Sequence, residues 1–387
     1  MTSDKLTAPL SGIRVVDVSA LGPGPFCSML LADYGADVVA VERPTHETFD
    51  PSASFARGKR SIVVDLRAEG GPEVIRRMAC SADVFLEGYR PGTMERRGLG
   101  PDRLLADNPR LIYTRLTGYG QDGPYARRAG HDINYIALAG ALGVIGDGRP
   151  VPPLNILGDF ASGSVNAAMG VMLALFQRER TGRGQVVDAA MVDGAALLLT
   201  AQLAEQAQGT WAGRGQGILS GSAPFYGVYR CADGGWFAVG AIEERFYDHF
   251  LKVLGLDGEP LPDRDDPATW PDLRERIATV FATRSRADWT AAFADIDGCG
   301  VPVLDLDELE HDPHLSARGT VTRHDGALHA APAPRLSDAD MRVRAGYERR
   351  GEHTRVVLRD CGLTDDEIDH FAGLGALPGE VSAAQRR

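Results

Sequence analysis

The chain has 387 residues, 44% of them hydrophobic and 24% charged, ordinary for a globular protein and long enough for two domains. A formal net charge of −12 argues against nonspecific nucleic-acid binding, although a local basic patch could still hold a phosphorylated small molecule. The five cysteines, Cys27, Cys80, Cys231, Cys299 and Cys361, show no metal-ligand or redox spacing, so reduced thiols in the cytoplasm are expected.

In chain order, the first residues lack the pattern of a secretory signal. Ile13–Val18 predicts a short buried strand, followed by the turn Leu21-Gly22-Pro23-Gly24-Pro25 and a helix from about Phe26 to Tyr34. Further strands are predicted at 38–43, 61–66, 83–87 and 111–116, with helices such as 71–81 between them. Strands alternating with helices define an α/β fold, a doubly wound, Rossmann-like parallel sheet whose ligands bind at the carboxyl ends of the strands. The first turn does not suit a nicotinamide dinucleotide. Gly22-x-Gly24 lacks a third glycine, Pro23 and Pro25 remove amide donors, and Arg43 directly follows Glu42. Arg43, Arg57, Lys59, Arg60, Arg90, Arg96 and Arg97 fall at strand ends or in nearby loops, where they could form a pocket for a phosphorylated nucleotide.

The chemistry centres on Ala129-Gly130-His131-Asp132-Ile133-Asn134-Tyr135, answered by Leu154-Asn155-Ile156-Leu157-Gly158-Asp159-Phe160. Asp132 is the expected N-cap of one helix, and Asp159 stands just ahead of another. Val165, Met169, Met172, Leu173 and Phe176 recur at helical spacing, and the uncharged run Phe160–Gln177 predicts a buried helix rather than a membrane span. Taken alone, Gly-His-Asp reads as a turn and Asp159 as a cap. Together they could set an imidazole and a carboxylate on two sides of one carbon atom.

Gln185–Ala190 then predicts a strand and Met191–Ala207 a helix. Gly209–Ser222, rich in Gly and Ser, reads as a linker or mobile loop. Phe225–Arg230 and Trp236–Ala241 form a hairpin about Asp233-Gly234-Gly235, followed by an amphipathic helix over Glu243–Leu254 and a short strand near Pro302–Asp307. The expected domains are a large one over 1–208, a smaller α+β one over 223–315, and a return to the large one over 330–387. Thr364 caps a last helix to Ala372, and the final residues, to Arg387, read as a frayed tail.

These motifs resemble the family III CoA-transferase superfamily and, within it, the α-methylacyl-CoA racemases. The resemblance covers nearly the whole chain. It rests on 21–26, Glu87-Gly88-Tyr89-Arg90-Pro91-Gly92, 129–135, Pro153-Leu154-Asn155 with Gly158-Asp159-Phe160, and 181–194. It continues through Ala223-Pro224-Phe225-Tyr226, 239–243 and Gly351-Glu352-His353-Thr354. The Gly-His-Asp-Ile-Asn-Tyr run is the part that points to racemase rather than transferase. The resemblance implies an interlocked homodimer whose large domain is built from both ends of the chain. It implies an acyl-CoA substrate, with CoA part of that substrate and no metal or redox cofactor. His131 and Asp159 become the acid/base pair that removes and returns the α-proton of a 2-methylacyl-CoA. By the same resemblance Glu243 would support the histidine from the small domain, of its own or of the partner subunit. Arg43, Arg90 and Arg96 would contact CoA, and Tyr135 is counted with the binding residues. A competing scheme is CoA transfer between carboxylates with Asp159 as nucleophile; a third is a CoA-binding or dinucleotide-binding module without catalysis. One departure bears on acyl specificity: Gly217-Ile218-Leu219-Ser220-Gly221-Ser222 stands where the racemases usually carry Asn-Met-Leu-Asp-Gly-Gly.

Overall fold

The computed structural model describes residues 8–19, 22–44, 55–324, 326–339 and 341–379. The N-terminal segment through residue 7, Leu21 of the first motif and the tail from residue 380 lie outside the described residues. The chain forms two compact units, one of residues 1–140, 153–199 and 320–387, the other of 141–152 and 200–319.

In chain order the first unit begins with β1 (Arg14–Asp17), α1 (Pro23–Asp33), β2 (Asp37–Glu42) and β3 (Lys59–Val63). It continues with α2 (Gly71–Cys80), β4 (Val84–Glu87), α3 (Pro101–Asp107), β5 (Ile112–Thr117) and α4 (Asp132–Leu138). The short α5 (Ala141–Val144) belongs to the second unit. A π-helix, Ile156–Val165, then runs directly into α6 (Asn166–Thr181), followed by β6 (Gln185–Ala190) and α7 (Met191–Leu197).

The six strands form one parallel sheet in the order β3-β2-β1-β4-β5-β6. This is the doubly wound order, whose direction of winding reverses between β1 and β4. Side chains alternate between the faces with the period of two that a strand imposes. Val15, Val38, Val84 and Ile112 join Leu31 of α1 and Val171, Ala174 and Leu175 of α6 on one face. Val16, Val39, Phe85 and Tyr113 face the other way, against Val74, Ile75 and Met78 of α2. The same layer takes in Val357, Leu358, Ile368 and Phe371, so the chain's last helices complete the sheet's second cover.

The second unit contains α8 (Thr200–Gln208), then β7 (Tyr226–Arg230), β8 (Trp236–Gly240), α9 (Glu244–Leu254), α10 (Trp270–Phe281), α11 (Arg286–Phe293), β9 (Gly300–Pro302) and α12 (Pro313–Arg318). Its three strands form an antiparallel sheet, β7-β8-β9. The core is aromatic: Phe281 stacks on Tyr229 at 5.0 Å and packs against Trp289 at 5.0 Å and Phe237 at 5.6 Å. The chain returns to the first unit with the hairpin β10 (Val321–His324) and β11 (Ala327–Ala330), then α13 (Thr354–Asp360) and α14 (Asp365–Gly373). Thr364 caps α14 by accepting the Glu367 N–H at 3.3 Å.

Five expectations are corrected. The helix expected over 191–207 is two, α7 and α8, and the chain passes between units at Leu199–Thr200 rather than at residue 208. Residues 141–152 leave the first unit, an excursion that no composition shift marks. The Gly/Ser-rich 209–222 stretch is tied within the second unit. Arg214 donates to the carbonyls of Gly143 at 3.1 Å and Gly148 at 2.8 Å, and Arg274 donates to those of Gly221 at 2.6 Å and Ser222 at 2.7 Å.

The last correction concerns the long apolar helical stretch. Ile156–Thr181 is apolar and long enough, by length and composition alone, to cross a membrane, with 39% of its most apolar window buried. Its buried face is Ala167, Val171, Ala174 and Leu175 on the sheet, not the stripe expected. Met169, Leu173 and Phe176 stand 51%, 61% and 61% exposed on the single chain.

Phe281→Ala is expected to lower the stability of the second unit by about 3–5 kcal/mol, the usual cost of truncating a buried Phe. Urea unfolding monitored by tryptophan fluorescence will measure it, because Trp289 lies against the ring.

Candidate active site

At the carboxyl ends of the strands lies a cavity of about 470 Å³. Its walls come from the segments after β1 (Ser19, Gly22–Gly24), β2 (Arg43), β4 (Gly88–Pro91), β5 (Thr117–Tyr119) and β6 (Met191). His131, Tyr135 and Asp159 complete it. The cavity therefore occupies the crevice that the reversal of strand order opens between β1 and β4.

His131 is the N-cap of α4, with extended backbone, and its N–H donates to Asn134 Oδ1 at 3.0 Å. The cap expected at Asp132 thus falls one residue earlier, and Asp132 becomes the first helical residue, buried. The shift leaves the exposed imidazole at the helix entry and turns the neighbouring carboxylate inward.

Asp159 does not precede a helix as expected; it sits in the first turn of the π-helix. Such stretches of widened helix occur frequently at functional sites. Its N–H donates to Asp132 Oδ1 at 2.6 Å, and its Oδ2 accepts from Asn155 at 3.2 Å. Burial raises its pKa above the ordinary 3.8; the Asn155 hydrogen bond opposes this, Asp132 adds to it, and His131 opposes it.

Tyr135 packs its ring onto bare backbone. A Cβ on Gly118 would lie 2.0 Å from the ring, and one on Gly130 would lie 2.7 Å away. Its hydroxyl donates to the Gly130 carbonyl, tying the His131 loop down, and burial pushes its pKa up to about 12. Tyr119 meets Tyr135 edge-on at 4.9 Å, and Tyr125 packs on Tyr119 at 5.4 Å.

The basic residues divide. Arg43 and Arg90 line the cavity, and so does Arg128, whose guanidinium lies 4.2 Å above the Tyr125 ring. Sequence reasoning missed Arg128; the signal available was Arg127-Arg128 placed immediately before the Ala-Gly-His run. Arg96 is not among the lining residues and donates to Thr93 Oγ1 at 3.2 Å.

Arg57 and Lys59 are corrected as ligand-binding candidates, because they precede or open β3 and their head groups are held inside the unit. Arg57 pairs with Asp33 at 2.6 Å and donates to the Ala330 carbonyl at 2.6 Å. Lys59 is buried; its Nζ donates to the Pro25 carbonyl at 2.8 Å and Ser28 Oγ at 2.7 Å and lies 3.7 Å from Asp17. It pins the start of α1, beside the cavity wall at Gly22–Gly24. Glu243 stands in the second unit, exposed, as N-cap of α9.

A doubly wound sheet with an imidazole, a carboxyl group and three guanidinium groups around its switch-point cavity defines a site for acid/base work on an anionic ligand. The CoA-transferase family III model matches residues 10–354. The chain belongs to that family. It is 47% identical over 366 residues to an alpha-methylacyl-CoA racemase of Mus musculus, covering 93% of this chain and 95% of the relative. A succinyl-CoA–D-citramalate CoA-transferase of Chloroflexus aurantiacus is 34% identical, covering 95% and 98%. Among solved structures, a CAIB/BAIF family protein from Brucella suis is similar with a TM-score of 0.80 and 27% identity, over 92% of this chain and 100% of that one.

Arg57→Ala leaves the Asp33 carboxylate buried without its partner, and is expected to cost about 3 kcal/mol of stability. A thermal unfolding midpoint unchanged from wild type would contradict this placement of Arg57.

Proposed function

We propose that this chain is a 2-methylacyl-CoA racemase, interconverting the (2R) and (2S) thioesters by removing and returning the hydrogen on carbon 2. The observation that carries the reading is that His131 and Asp159 open into one cavity. The 47% identity to a curated racemase supports it.

The α-hydrogen of a thioester is acidified by the carbonyl yet is still hard to remove, so inversion needs one group to take a proton from one face and another to return one to the opposite face. His131 and Asp159 are the two groups. Backbone N–H groups in the first turn of α4 would carry the charge that develops on the enolate oxygen. Glu243 is proposed to orient and support His131. Arg43 and Arg90, joined by Arg128, are proposed to hold the phosphates of CoA, which we take as part of the substrate rather than a separate cofactor; Arg96 is proposed to act at the cavity's outer edge, and Tyr135 to shape the cavity beside the thioester.

A second reading is CoA transfer through an Asp159 acyl anhydride, favoured by the 34% identity to a CoA-transferase. An attacking carboxylate must be ionised, whereas burial favours the protonated form of Asp159. The same raised proton affinity suits the half of the epimerisation in which Asp159 gives its proton up.

We further propose a homodimer, in which a second copy covers the apolar stripe Met169, Leu173 and Phe176 of α6. The five free cysteines suit a cytoplasmic location, which we also propose.

Three outcomes are expected. His131→Ala and Asp159→Asn should each slow epimerisation by about a hundred- to ten-thousandfold, measured by chiral separation of the hydrolysed acids. Hydroxylamine trapping of an acyl group on Asp159 would support transfer instead. Arg90→Ala should raise KM by about tenfold or more with little change in kcat, as loss of a charge-assisted contact to the ligand predicts. In the direction that begins with Asp159 ionised, kcat/KM should fall as pH drops through a value above 3.8, because the residue's pKa is raised.

A further inference from the structure

Asp132 lies between the two candidate catalytic groups without itself lining the cavity. Its side chain is buried, and no basic group pairs with it among the described residues. Oδ1 accepts the Asp159 N–H at 2.6 Å, while Oδ2 is buried without a hydrogen-bond partner among the described residues. A buried carboxylate with one oxygen unsatisfied carries a cost that the fold must offset elsewhere, so its retention beside the site calls for a role.

The surroundings are cut to admit it. A Cβ added to Gly158 would lie 2.4 Å from Asp132 Oδ1, 2.7 Å from its Cγ and 3.1 Å from Ile136 Cγ2. Gly158 has no positive φ that would call for glycine, so the close approach of the carboxylate is what its missing side chain allows.

We propose that Asp132 is a positioning residue for the proton transfers, its carboxylate clamping the turn that bears Asp159 onto the first turn of the helix that bears His131. The inference rests on the racemase reading and adds to it the residue that fixes the separation of the two groups. The clamp joins the backbone of one catalytic residue to the side chain adjacent to the other, so a shift of either turn is shared by both. Loss of such registration by about 1 Å can cost a hundredfold in rate.

The clamp also carries charge. The groups acting on Asp159 are Asn155 from its own turn, His131 at the N-cap of α4 and Asp132 in its first turn, while Asp159 in turn acts on Tyr135. The α1 side presents Gly22, and α7 presents Met191, both uncharged. Arg90 lines the same cavity and acts on Tyr135. Asp132 is the anion in contact with the Asp159 backbone, so its charge favours a proton on Asp159.

The test separates clamp from charge. Asp132→Asn keeps an oxygen for the Asp159 N–H and removes the charge. It should move the acid limb of kcat/KM, in the direction beginning with ionised Asp159, to lower pH. Asp132→Ala removes both and should lower kcat by about a hundredfold with KM nearly unchanged. Gly158→Ala, which forces the carboxylate away without touching its charge, should lower kcat like Asp132→Ala. Thermal unfolding checks that each variant is folded, and if Asp132→Ala is not, the Asn and Gly158 variants still decide. A wild type that epimerises while the Asn limb stays in place and the Gly158 variant keeps its kcat would overturn the inference alone. A wild type that epimerises no branched acyl-CoA would overturn the racemase reading and this inference with it.

Discussion

The reversal of winding between β1 and β4 is the constraint on which the rest of the first unit depends. Neighbouring parallel strands whose connections leave toward opposite sides cannot close the space above their carboxyl ends. That space is lined here by Ser19 and Gly22–Gly24 on one side and Gly88–Pro91 on the other. The His131 and Asp159 segments come later in the chain and arrive over the same crevice. Their approach depends on missing side chains: Gly118 and Gly130 make room for the Tyr135 ring, and Gly158 for the Asp132 carboxylate.

Beneath the crevice, buried polar groups hold the walls. Lys59, Asp17 and Ser28 form one hydrogen-bonded group that fixes the first turn of α1 through the Pro25 carbonyl. Burial lowers the Lys59 pKa while the nearby Asp17 opposes the change. On the other side Glu87 accepts the Tyr89 N–H at 2.7 Å, which sets the loop presenting Arg90. Burial raises Glu87 to about 7, against the hydrogen bond from Tyr89 and the charge of Arg115. Charges that a strand-end rule would assign to a ligand are thus divided between those that face the cavity and those that build its floor.

The strands were legible because their β-branched runs have few alternatives in a buried parallel sheet. The hairpin about Asp233-Gly234-Gly235 and the Thr364 cap were legible because turn and cap chemistry are local. What escaped depends on distant packing. Residues 191–207 contain no proline, and their one glycine, Gly194, lies inside α7, so nothing local marks the break after Leu197. The π-helix around Asp159 carries Gly158 and Gly163, which mark a weak helix but do not tell a widened one from an ordinary one. The α6 stripe has core spacing but faces away from the sheet, a choice the spacing alone does not make. Arg57 and Lys59 looked like ligand residues by position, and only their side-chain directions show otherwise. Of the cavity's lining, His131 and Asp159 were legible as two residues that meet there, whereas Arg128 and the inward turn of Asp132 required coordinates.

The most direct test of two opposed proton carriers is the fate of the label when each pure epimer is turned over in heavy water. Transfer between two groups predicts that the product epimer carries deuterium at carbon 2 from the first turnovers, while recovered substrate remains protiated. Equal early labelling of both epimers would mean that one group serves both faces, and that result would contradict the account.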